Sequence, residues 1–488
     1  MSMLTEGLHA VTVGRMWVLP LLVVSASAGV GGSAARGTEP LPIGSRLEPF
    51  VDDYLIETMK GAELRLHSPT PKEIAITFDK PWEGNVSAYV TVFEDTDRFR
   101  MYYRGMDYDP KTGKSGPEQV CYAESRDGIR WTRPDLNLFE FGGSKQNNIV
   151  WQGIACHNFT PFKDANPDGT PDARYKALGS VEGGLVAFKS SDGVHWSLIR
   201  KEPVITQGAF DSQNLAFWDA VRGRYVDFHR GFRNEVRDIM TCTSQDFIHW
   251  TDPQWLDYGP ATPEHLYTNA ITAYPRAPHI FMGFPKRFSP TRRKSDHRHP
   301  GVSDGVFMVS RDGVHFRRWQ EAFIRPGLQA SRWENRNNMT AWGILVTKSD
   351  IPGTPDELSI YSSEGYYVGP CSLRRFTIRM DGFVSVNAGY GGAEVVTKPL
   401  IFEGKHLVMN YSTSAAGSIR VEIQDATGRP VEGYALADSP EIYGDSIAEA
   451  VSWKGGNDVS NLAGKAIRLR FVMKDADLYA IQFTPKVP

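Results

Sequence analysis

The chain has few cysteines and a nearly balanced charge, and each of these features excludes some classes of protein. Its four cysteines follow no metal-ligand or paired-loop spacing, so we expect buried free thiols and no metal centre. A formal net charge of −3 gives no global field to attract nucleic acid, and no nucleic-acid partner is expected. The chain also lacks a Gly-rich phosphate loop between a strand and a helix and a Gly-x-Ser-x-Gly elbow. The cysteines are Cys121, Cys156, Cys242 and Cys371.

Long apolar runs are absent beyond the N-terminus, where one short run has the features of an export signal. Arg15 precedes an apolar stretch over residues 16–24, and Ala26-Ser27-Ala28 then offers an A-x-A cleavage pattern. The stretch is too short to span a bilayer. We therefore predict a signal peptide over residues 1–36, a secreted or periplasmic mature protein, and no membrane partner after cleavage. An uncleaved anchor or a misassigned start codon is the alternative.

What the sequence does contain is one short phrase in four copies. Their aspartates stand 65, 54 and 66 residues apart, and Ser, Asp and the final aromatic residue keep register throughout. A repeat of this period among strands and turns is typical of a radially repeated all-β fold. Asp-Gly favours a hairpin turn, and the aromatic residue can fill the gap between neighbouring sheets. The copies are Ser125-Arg126-Asp127-Gly128-Ile129-Arg130-Trp131, Ser190-Ser191-Asp192-Gly193-Val194-His195-Trp196, Ser244-Gln245-Asp246-Phe247-Ile248-His249-Trp250 and Ser310-Arg311-Asp312-Gly313-Val314-His315-Phe316.

Strand patterns around these phrases predict five blades of a β-propeller. The fourth strand of blade one is expected to begin at Trp131, and blade five, which lacks the phrase, is expected to end with a strand over residues 383–386. After about residue 387, half-buried alternating strands indicate an appended β-sandwich. The expected fold is all-β, with a five-bladed β-propeller over residues 37–386 followed by a β-sandwich over residues 387–488. Residues 37–80 are expected to wrap the propeller or to supply a closing strand.

Polar residues gather where the inner strand of each predicted blade begins. Inner strands of a propeller start at the same rim of the central channel, so residues distant in sequence converge there. A purely structural channel would need few such groups, because buried polar groups without partners are costly. Strand-start caps and solvated loop ends are the alternative. The starts are Trp82-Glu83-Gly84-Asn85, Cys156-His157-Asn158, Phe210-Asp211-Ser212-Gln213-Asn214, and residues 264–269 and 332–338.

Carboxylates at these starts are candidates for acid–base catalysis. Glycoside hydrolysis needs two carboxyl groups across one pocket, one protonated as general acid and one ionised as base or nucleophile. The catalytic candidates are Asp211, Glu83 and Glu334. Side chains expected to hold sugar hydroxyls or anionic groups, or to offer stacking faces, are His157, Asn158, Asn214, Tyr267, Asn269, Arg336, Trp82 and Trp333.

The segment Phe210-Asp211-Ser212-Gln213-Asn214-Leu215 stands where one family of propeller enzymes has its third-blade acid/base motif, Glu-Cys-Pro. The whole layout resembles the five-bladed propeller glycosidases, especially glycoside hydrolase families 32 and 43, which act on fructans and arabinose-type furanosides. The resemblance implies Asp211 as general acid and Glu83 or Glu334 as base or nucleophile. The first-blade Asn-Asp-Pro-Asn-Gly motif and the second-blade Arg-Asp-Pro motif of family 32 are both missing, and His157-Asn158 stands at the second position.

Basic loops indicate an anionic sugar. The loop between the second and third strands of a blade returns to the active rim, and in blades three and four this loop is rich in arginine, including Arg230 and Arg287. Arginine forks suit carboxylate and sulfate groups. We therefore expect a uronic-acid or sulfated polysaccharide, with a solvated basic loop as the alternative.

One segment is similar to the start of a calcium loop. Asp164, Asn166 and Asp168 have the right spacing, but the twelfth position is Tyr175 and no helices flank the segment. A plain hairpin turn is favoured over a Ca²⁺ site, and no cofactor is expected.

The sequence predicts an exported glycoside hydrolase with a carbohydrate substrate, and two other functions stay open. A non-catalytic carbohydrate-binding propeller would have one isolated carboxylate and aromatic shelves. A structural or protein-interaction propeller would have a plugged channel and an exposed apolar patch elsewhere. Two carboxyl groups about 5–10 Å apart across the pocket would favour hydrolysis.

Overall fold

The computed structural model of the chain describes residues 39–294 and 299–487. Five four-stranded antiparallel sheets form a propeller and ten further strands form the sheet of a β-sandwich, which confirms the predicted fold class. The predicted signal peptide over residues 1–36 lies outside the described residues. Within the described ranges no helix is long and apolar enough to cross a membrane. The short 3-10 helices are Cys156–Asn158, Pro171–Ala173, Ala330–Trp333, Leu436–Asp438 and Ser460–Leu462.

Each blade runs from an inner strand at the channel to a fourth strand at the periphery. Blade one is Ala88–Asp95, Arg98–Gly105, Gln119–Ser125 and Ile149–Gln152. Blade two is Thr160–Lys163, Tyr175–Val181, Gly184–Ser190 and Ser197–Leu198. Blade three is Leu215–Asp219, Arg224–Arg233, Val236–Ser244 and Gln254–Trp255. Blade four is Thr272–Tyr274, Ala277–Gly283, Met308–Ser310 and Phe316–Arg318, and blade five is Leu345–Thr347, Glu357–Glu364, Ser372–Arg379 and Thr70–Thr77.

The repeated phrase forms the same turn in all four copies. In blade two, Ser190 Oγ accepts the Gly193 N–H at 2.9 Å, and Asp192 Oδ1 accepts the N–H groups of Val194 and His195 at 2.8 Å each. The turn also contacts the preceding blade, because the Tyr102 hydroxyl of blade one donates to the Gly193 carbonyl at 2.8 Å. The phrase therefore joins neighbouring blades as well as closing its own hairpin.

Two fourth strands differ from the prediction. Trp131 does not begin the fourth strand of blade one, because its indole is buried against the Tyr361 ring of blade five at 6.0 Å. In blade five the fourth strand is Thr70–Thr77, which pairs with Ser372–Arg379 and closes the ring with N-terminal chain, one of the two roles expected for that region. The segment predicted to complete blade five, Val384–Ala388, belongs to the sandwich sheet.

The sandwich is built from both ends of the described chain. Strands over residues 41–66, expected with the propeller, pair instead with C-terminal strands, so the sandwich is discontinuous in sequence. Of its two long strands, Ala466–Thr484 alternates buried and half-buried side chains over its first half, and His406–Asp425 is buried in runs at both ends. The strands are Leu41–Gly44, Glu48–Pro49, Ile56–Lys60, Ala62–Leu66, Val384–Ala388, Ala393–Thr397, Leu400–Phe402, His406–Asp425, Asp445–Ala450 and Ala466–Thr484.

A small three-stranded sheet extends blade four beside the rim where the inner strands begin. Its strands are His265–Leu266, Lys286–Ser289 and Val302–Gly305. Successive side chains of a strand point to opposite faces, so Lys286 and Arg287 face different surroundings. The four cysteines are buried and unpaired, as expected.

Candidate active site

A carboxylate, an imidazole and a second carboxylate form a continuous array at the rim of the propeller. His157 Nε2 lies 3.0 Å from Asp211 Oδ1, and His157 Nδ1 lies 2.7 Å from Glu118 Oε1. The Arg104 guanidinium contacts the same imidazole at 3.1 Å. Asp211 also lies 3.7 Å from an Arg230 nitrogen, and its side chain is 69% exposed. The structure thus brings together three residues predicted for the site, Asp211, His157 and Arg230.

The contacts within the array shift the pKa values of Asp211 and His157 in opposite directions. Burial alone would raise the pKa of Asp211, but the hydrogen bond from His157 and the charges of Arg230 and Arg336 lower it. Burial alone would lower the pKa of His157, but its hydrogen bonds to Asp211 and Glu118 raise it. Asp211 is therefore ionised at neutral pH and is suited to act as a base, whereas the general acid that the family resemblance implies would need a raised pKa. The raised pKa favours the protonated form of His157, which makes it the candidate proton donor of the array.

Two predicted binding amides hold the loop that carries Asp211. Asn158 donates to the carbonyls of Phe210 and Ser212, at 2.5 and 2.7 Å, and Asn214 donates to the same two carbonyls at 3.1 and 3.0 Å. Both side chains are buried. They fix the backbone on either side of Asp211 instead of facing the pocket.

Asp211 and His157 line a cavity of about 500 Å³ between blades two and three. Its other walls include Ser180, Gly183 and Phe210. The volume lies in the range of small-ligand pockets, about 300–1,000 Å³. The exposed face of the array therefore opens onto space for one or two sugar rings.

On the other side of Arg230, four cationic side chains surround the ring of Tyr267. Lys286 Nζ lies 4.1 Å from the ring centroid, and the guanidinium carbons of Arg230, Arg237 and Arg336 lie at 5.2, 5.5 and 5.6 Å. We call these four side chains and Tyr267 the Tyr267 cage. It unites Arg230, Tyr267 and Arg336, all predicted for the site, with Arg237 and Lys286 from the basic loops of blades three and four.

Strand geometry explains how the cage assembles. In the hairpin of blade three, Phe232 pairs with Arg237, so Arg230, Phe232 and Arg237 share one face. Lys286 comes from the small sheet of blade four, and Tyr267 follows the first strand of that sheet. Arg336 comes from the loop before the inner strand of blade five. Basic side chains from three blades thus surround a single aromatic ring.

Several residues at this rim have left-handed backbone. Tyr89 has φ 54°, Arg336 has φ 68° and Tyr367 has φ 69°. Each such non-glycine residue costs roughly 1–3 kcal/mol, and this kind of strain concentrates at functional sites. Tyr367 and Tyr89 both lie near cage or array members, since Arg336 lies 5.5 Å from the Tyr367 ring and His157 lies 5.6 Å from the Tyr89 ring.

Glu83 lies in the wall between blades and not in the pocket. Its carboxylate is fully buried, 2.5 Å from the Tyr103 hydroxyl and 2.6 Å from Arg133 Nε. Lys80 N–H donates to the other oxygen at 2.9 Å. A carboxylate so enclosed and paired has no access to a sugar, and its geometry is that of a structural ion pair.

The remaining predicted residues lie away from the array. Arg287 binds Asp304 at 2.6 Å and Glu264 at 3.2 Å on the face opposite Lys286, beside a separate cavity of about 690 Å³ that Trp333 also lines. Asn269 donates to the Phe228 carbonyl at 3.1 Å. Trp82 donates to Asn148 at 2.6 Å, and Glu334 is buried directly after the 3-10 helix Ala330–Trp333.

The candidate calcium loop does not fit a cation. Asp164 is hydrogen-bonded by the Lys176 ammonium and, at 2.7 Å, by the Tyr225 hydroxyl. Its other oxygen accepts the Asn166 N–H at 3.0 Å, and Asn166 accepts the Asp168 N–H at 3.0 Å. A lysine already neutralises the carboxylate that Ca²⁺ would need, so the segment is a hydrogen-bonded turn.

One buried cluster within the described residues has metal-ligand chemistry, namely Asp227, His229 and Cys242 in blade three. His229 Nδ1 is hydrogen-bonded to Asp227, and its Nε2 lies 2.9 Å from the Gln207 carbonyl. Cys242 Sγ donates to Asp227 at 3.6 Å. Because all three side chains are buried and are hydrogen-bonded to one another or to the backbone, we assign the cluster a structural role. It anchors the segment that leads to Phe210 and Asp211.

The sequence analysis missed Arg104 and Glu118, which flank the loop between the second and third strands of blade one. Arg237 and Lys286 belong to the basic loops of blades three and four, which are expected from the sequence to face an anionic sugar. Since the corresponding loop of blade one returns to the same rim, the position of Glu118 before the third strand was the signal that could have found it.

No protein-family model matches the chain, and no curated protein matches it. Solved structures do. The chain is similar to a glycoside hydrolase family 43 arabinoxylan arabinofuranohydrolase from Bacillus subtilis, with 13% identity, 86% of this chain and 99% of that chain covered, and a TM-score of 0.42. It is similar to the catalytic domain of a glycoside hydrolase family 62 α-L-arabinofuranosidase from Coprinopsis cinerea, with 10% identity, 69% and 98% covered, and a TM-score of 0.39.

A third similar structure is an N-acetylgalactosamine deacetylase from F. plautii, with 13% identity, 64% of this chain and 96% of that chain covered, and a TM-score of 0.40. The predicted resemblance to propeller glycosidases is thus one of fold, with a family 43 enzyme among the similar structures.

Proposed function

We propose that the protein cleaves glycosidic bonds of a polysaccharide or oligosaccharide by acid–base catalysis at Asp211 and His157. The observation that carries the proposal is the Asp211–His157–Glu118 array, of which Asp211 and His157 line a cavity of about 500 Å³. It joins a carboxylate whose pKa is lowered to an imidazole whose pKa is raised. General acid–base groups of this kind contribute about 10²–10⁴-fold to a rate.

In hydrolysis, Asp211 takes a proton from water as the water oxygen bonds to the anomeric carbon. The bond from that carbon to the leaving oxygen breaks, and His157 protonates the leaving oxygen. Asp211 then returns its proton to His157 across their 3.0 Å contact, which resets both groups. Glu118 keeps the imidazole oriented and favours its charged form, so Glu118 is a positioning residue.

Elimination is a second candidate, and one observation favours it. Asp211 and His157 touch, so a base and an acid approach the substrate from the same side, whereas an inverting glycosidase separates its two carboxyl groups by about 6.5–9.5 Å. In elimination from a uronic acid, Asp211 would remove the proton next to the sugar carboxylate and His157 would protonate the leaving oxygen. The product would carry a carbon–carbon double bond and no added water.

The test is product release from a panel of neutral and anionic polysaccharides, followed by mass spectrometry and ultraviolet absorbance. We expect the wild-type protein to release oligosaccharides and Asp211→Asn to lose at least 10²-fold in rate. Asp168→Asn, at an exposed position in the turn described above, is the matched control and is expected to retain full activity. Added water in the product identifies hydrolysis, and an absorbing unsaturated product identifies elimination.

Folded protein that releases nothing from any glycan would contradict catalysis and favour the carbohydrate-binding alternative. Activity that survives in Asp211→Asn would keep the enzyme but reject this base. We also propose that the mature protein is secreted or periplasmic, where polysaccharides are met, and cell fractionation with N-terminal sequencing tests this.

A further inference from the structure

The Tyr267 cage holds more positive charge than the protein around it neutralises. Among the described residues, no carboxylate forms an ion pair with Arg237, Lys286 or Arg336, and Asp211 is the one carboxylate paired with Arg230. Lys286 is fully buried and Arg230 is 4% exposed. Burying charge without a counter-charge is costly, and burial together with the charges of the three arginines lowers the pKa of Lys286 well below its usual value. An anion bound in the cage would oppose that shift and favour the charged form of the lysine.

Three buried hydrogen-bond donors of the cage also lack an acceptor among the described residues. Lys286 Nζ, Arg230 Nη1 and Arg237 Nε are buried and have no hydrogen-bond partner among the described residues. They come from two blades and surround one aromatic ring. Unsatisfied donors of this kind need an explanation, and an acceptor that carries negative charge supplies one.

We propose that the Tyr267 cage is a subsite for an anionic substituent of a sugar, a carboxylate or a sulfate group, bound by Lys286, Arg230, Arg237 and Arg336. The proposal rests on the proposed function in that the sugar is the substrate cleaved beside Asp211. The sequence predicts an anionic sugar beside Arg230 and Arg287, and the proposal places the anion at the Tyr267 cage instead. Arg287, the residue predicted for that role in blade four, is occupied by Asp304 and Glu264.

The position of the cage fixes the order of subsites. Arg230 contacts the ring of Tyr267 on one side and Asp211 on the other. The charged sugar therefore lies next to the scissile bond, and not several residues away along the chain of the polysaccharide. The same contact lets the anion reduce the positive field on Asp211.

Calorimetric binding to the full-length protein tests the subsite with three probes, namely glucuronate, galactose 6-sulfate and uncharged galactose. We expect one or both charged probes to bind and uncharged galactose to bind at least tenfold more weakly. The comparison of glucuronate with galactose 6-sulfate shows which anion the subsite prefers. Lys286→Met and Arg237→Gln are each expected to weaken the charged probe about tenfold or more, since each removes a charged hydrogen bond.

Arg292→Gln is the matched control, because Arg292 is an exposed cation of the same blade-four loop and lines the separate cavity. Its affinity is expected to equal that of the wild type. Lys286→Met is also expected to raise the melting temperature without ligand, which separates loss of binding from loss of folding. Charged probes that bind Lys286→Met and Arg237→Gln as tightly as the wild type would overturn the subsite, as would equal affinity for uncharged galactose.

The outcomes separate this inference from the proposed function. Anion binding that depends on Lys286 and Arg237, without glycan cleavage, would leave the subsite standing and reject the enzyme. Cleavage of neutral glycans without anion binding would do the reverse. Binding is measured in Asp211→Asn as well, so that turnover does not alter the probe.

Discussion

At the scale of single residues, the site depends on which neighbours decide a protonation state. Asp211 and His157 share one hydrogen bond, and that bond together with neighbouring charges outweighs the effect of burial on both groups. The pKa of Asp211 is lowered and the pKa of His157 is raised. The contact therefore favours the carboxylate form of Asp211 and the imidazolium form of His157. This argues for Asp211 as the base, although its position in the sequence resembles that of a general acid.

Activity is expected to follow a bell-shaped pH profile set by this pair. It rises as Asp211 ionises, below the ordinary carboxyl value of 3.8, and falls as His157 loses its proton, above the ordinary imidazole value of 6.5. Glu118→Gln removes one of the two acceptors that raise the pKa of His157. The alkaline limb of kcat/KM is expected to move to lower pH while the acidic limb stays in place. An unchanged alkaline limb would show that Glu118 does not act through His157.

At the scale of elements, the repeated turn contributes stability through its aspartate. Asp192→Ala removes two backbone hydrogen bonds to a carboxylate, and we expect a loss of about 1–2 kcal/mol by denaturant unfolding, reduced by partial exposure. Burial would raise the pKa of Asp192, but the hydrogen bonds from His195 and Val194 lower it to about 2. Its contribution is therefore present above pH 3.8 and lost as the pH falls towards 2.

Exposed Asp252→Asn near the third copy of the phrase is the control for this prediction and should leave stability within about 0.5 kcal/mol of the wild type. If Asp192→Ala unfolds at the wild-type denaturant midpoint, the turn is fixed by Ser190 and backbone conformation alone. A loss that persists unchanged at pH 2 would show that the ionised carboxylate is not its cause.

The sequence could predict the elements that repeat, and the structure differs where the chain departs from repetition. The four copies of the turn were found from the sequence, because Ser and Asp at fixed positions give a strong local signal. Fourth strands were misplaced in blades one and five, since a peripheral strand is chosen by which segment reaches the sheet edge. Nothing local in residues 70–77 says that they pair with Ser372–Arg379.

For the site, sequence position located the rim but not the direction of each side chain. Asp211 and His157 line a cavity and Arg336 lies against Tyr267 in the cage, whereas Asn158 and Asn214 turn to the backbone. The amides were indistinguishable from ligand-binding groups in the sequence because their partners, the Phe210 and Ser212 carbonyls, lie more than fifty residues from Asn158. Lys286 and Arg287 are adjacent in the sequence, and their different surroundings could be assigned only when the two faces of their strand were known.

At the scale of the whole molecule, the N-terminal chain serves both parts of the fold. Residues 41–66 supply strands to the sandwich, and Thr70–Thr77 closes the propeller. Arg311 of the fourth repeat binds Asp52 at 2.7 Å and Glu48 at 2.9 Å, and Glu48 is fully buried. Neither part therefore has a self-sufficient boundary, and we expect the full chain to unfold in a single cooperative transition.

A fragment cut at the boundary expected from the sequence, residues 37–386, tests this directly. It keeps Ile56–Lys60 and Ala62–Leu66 but removes Ala393–Thr397 and Ala466–Thr484, the partners of the sandwich sheet. Open sheet edges pair with other chains, so we expect oligomers and aggregates by light scattering. A fragment over residues 67–386 retains the closing strand without the unpaired strands and is expected to aggregate less. A monomeric 37–386 fragment with the melting temperature of the full chain would show instead that the propeller folds without its sandwich, and that the shared N-terminal chain is only a linker.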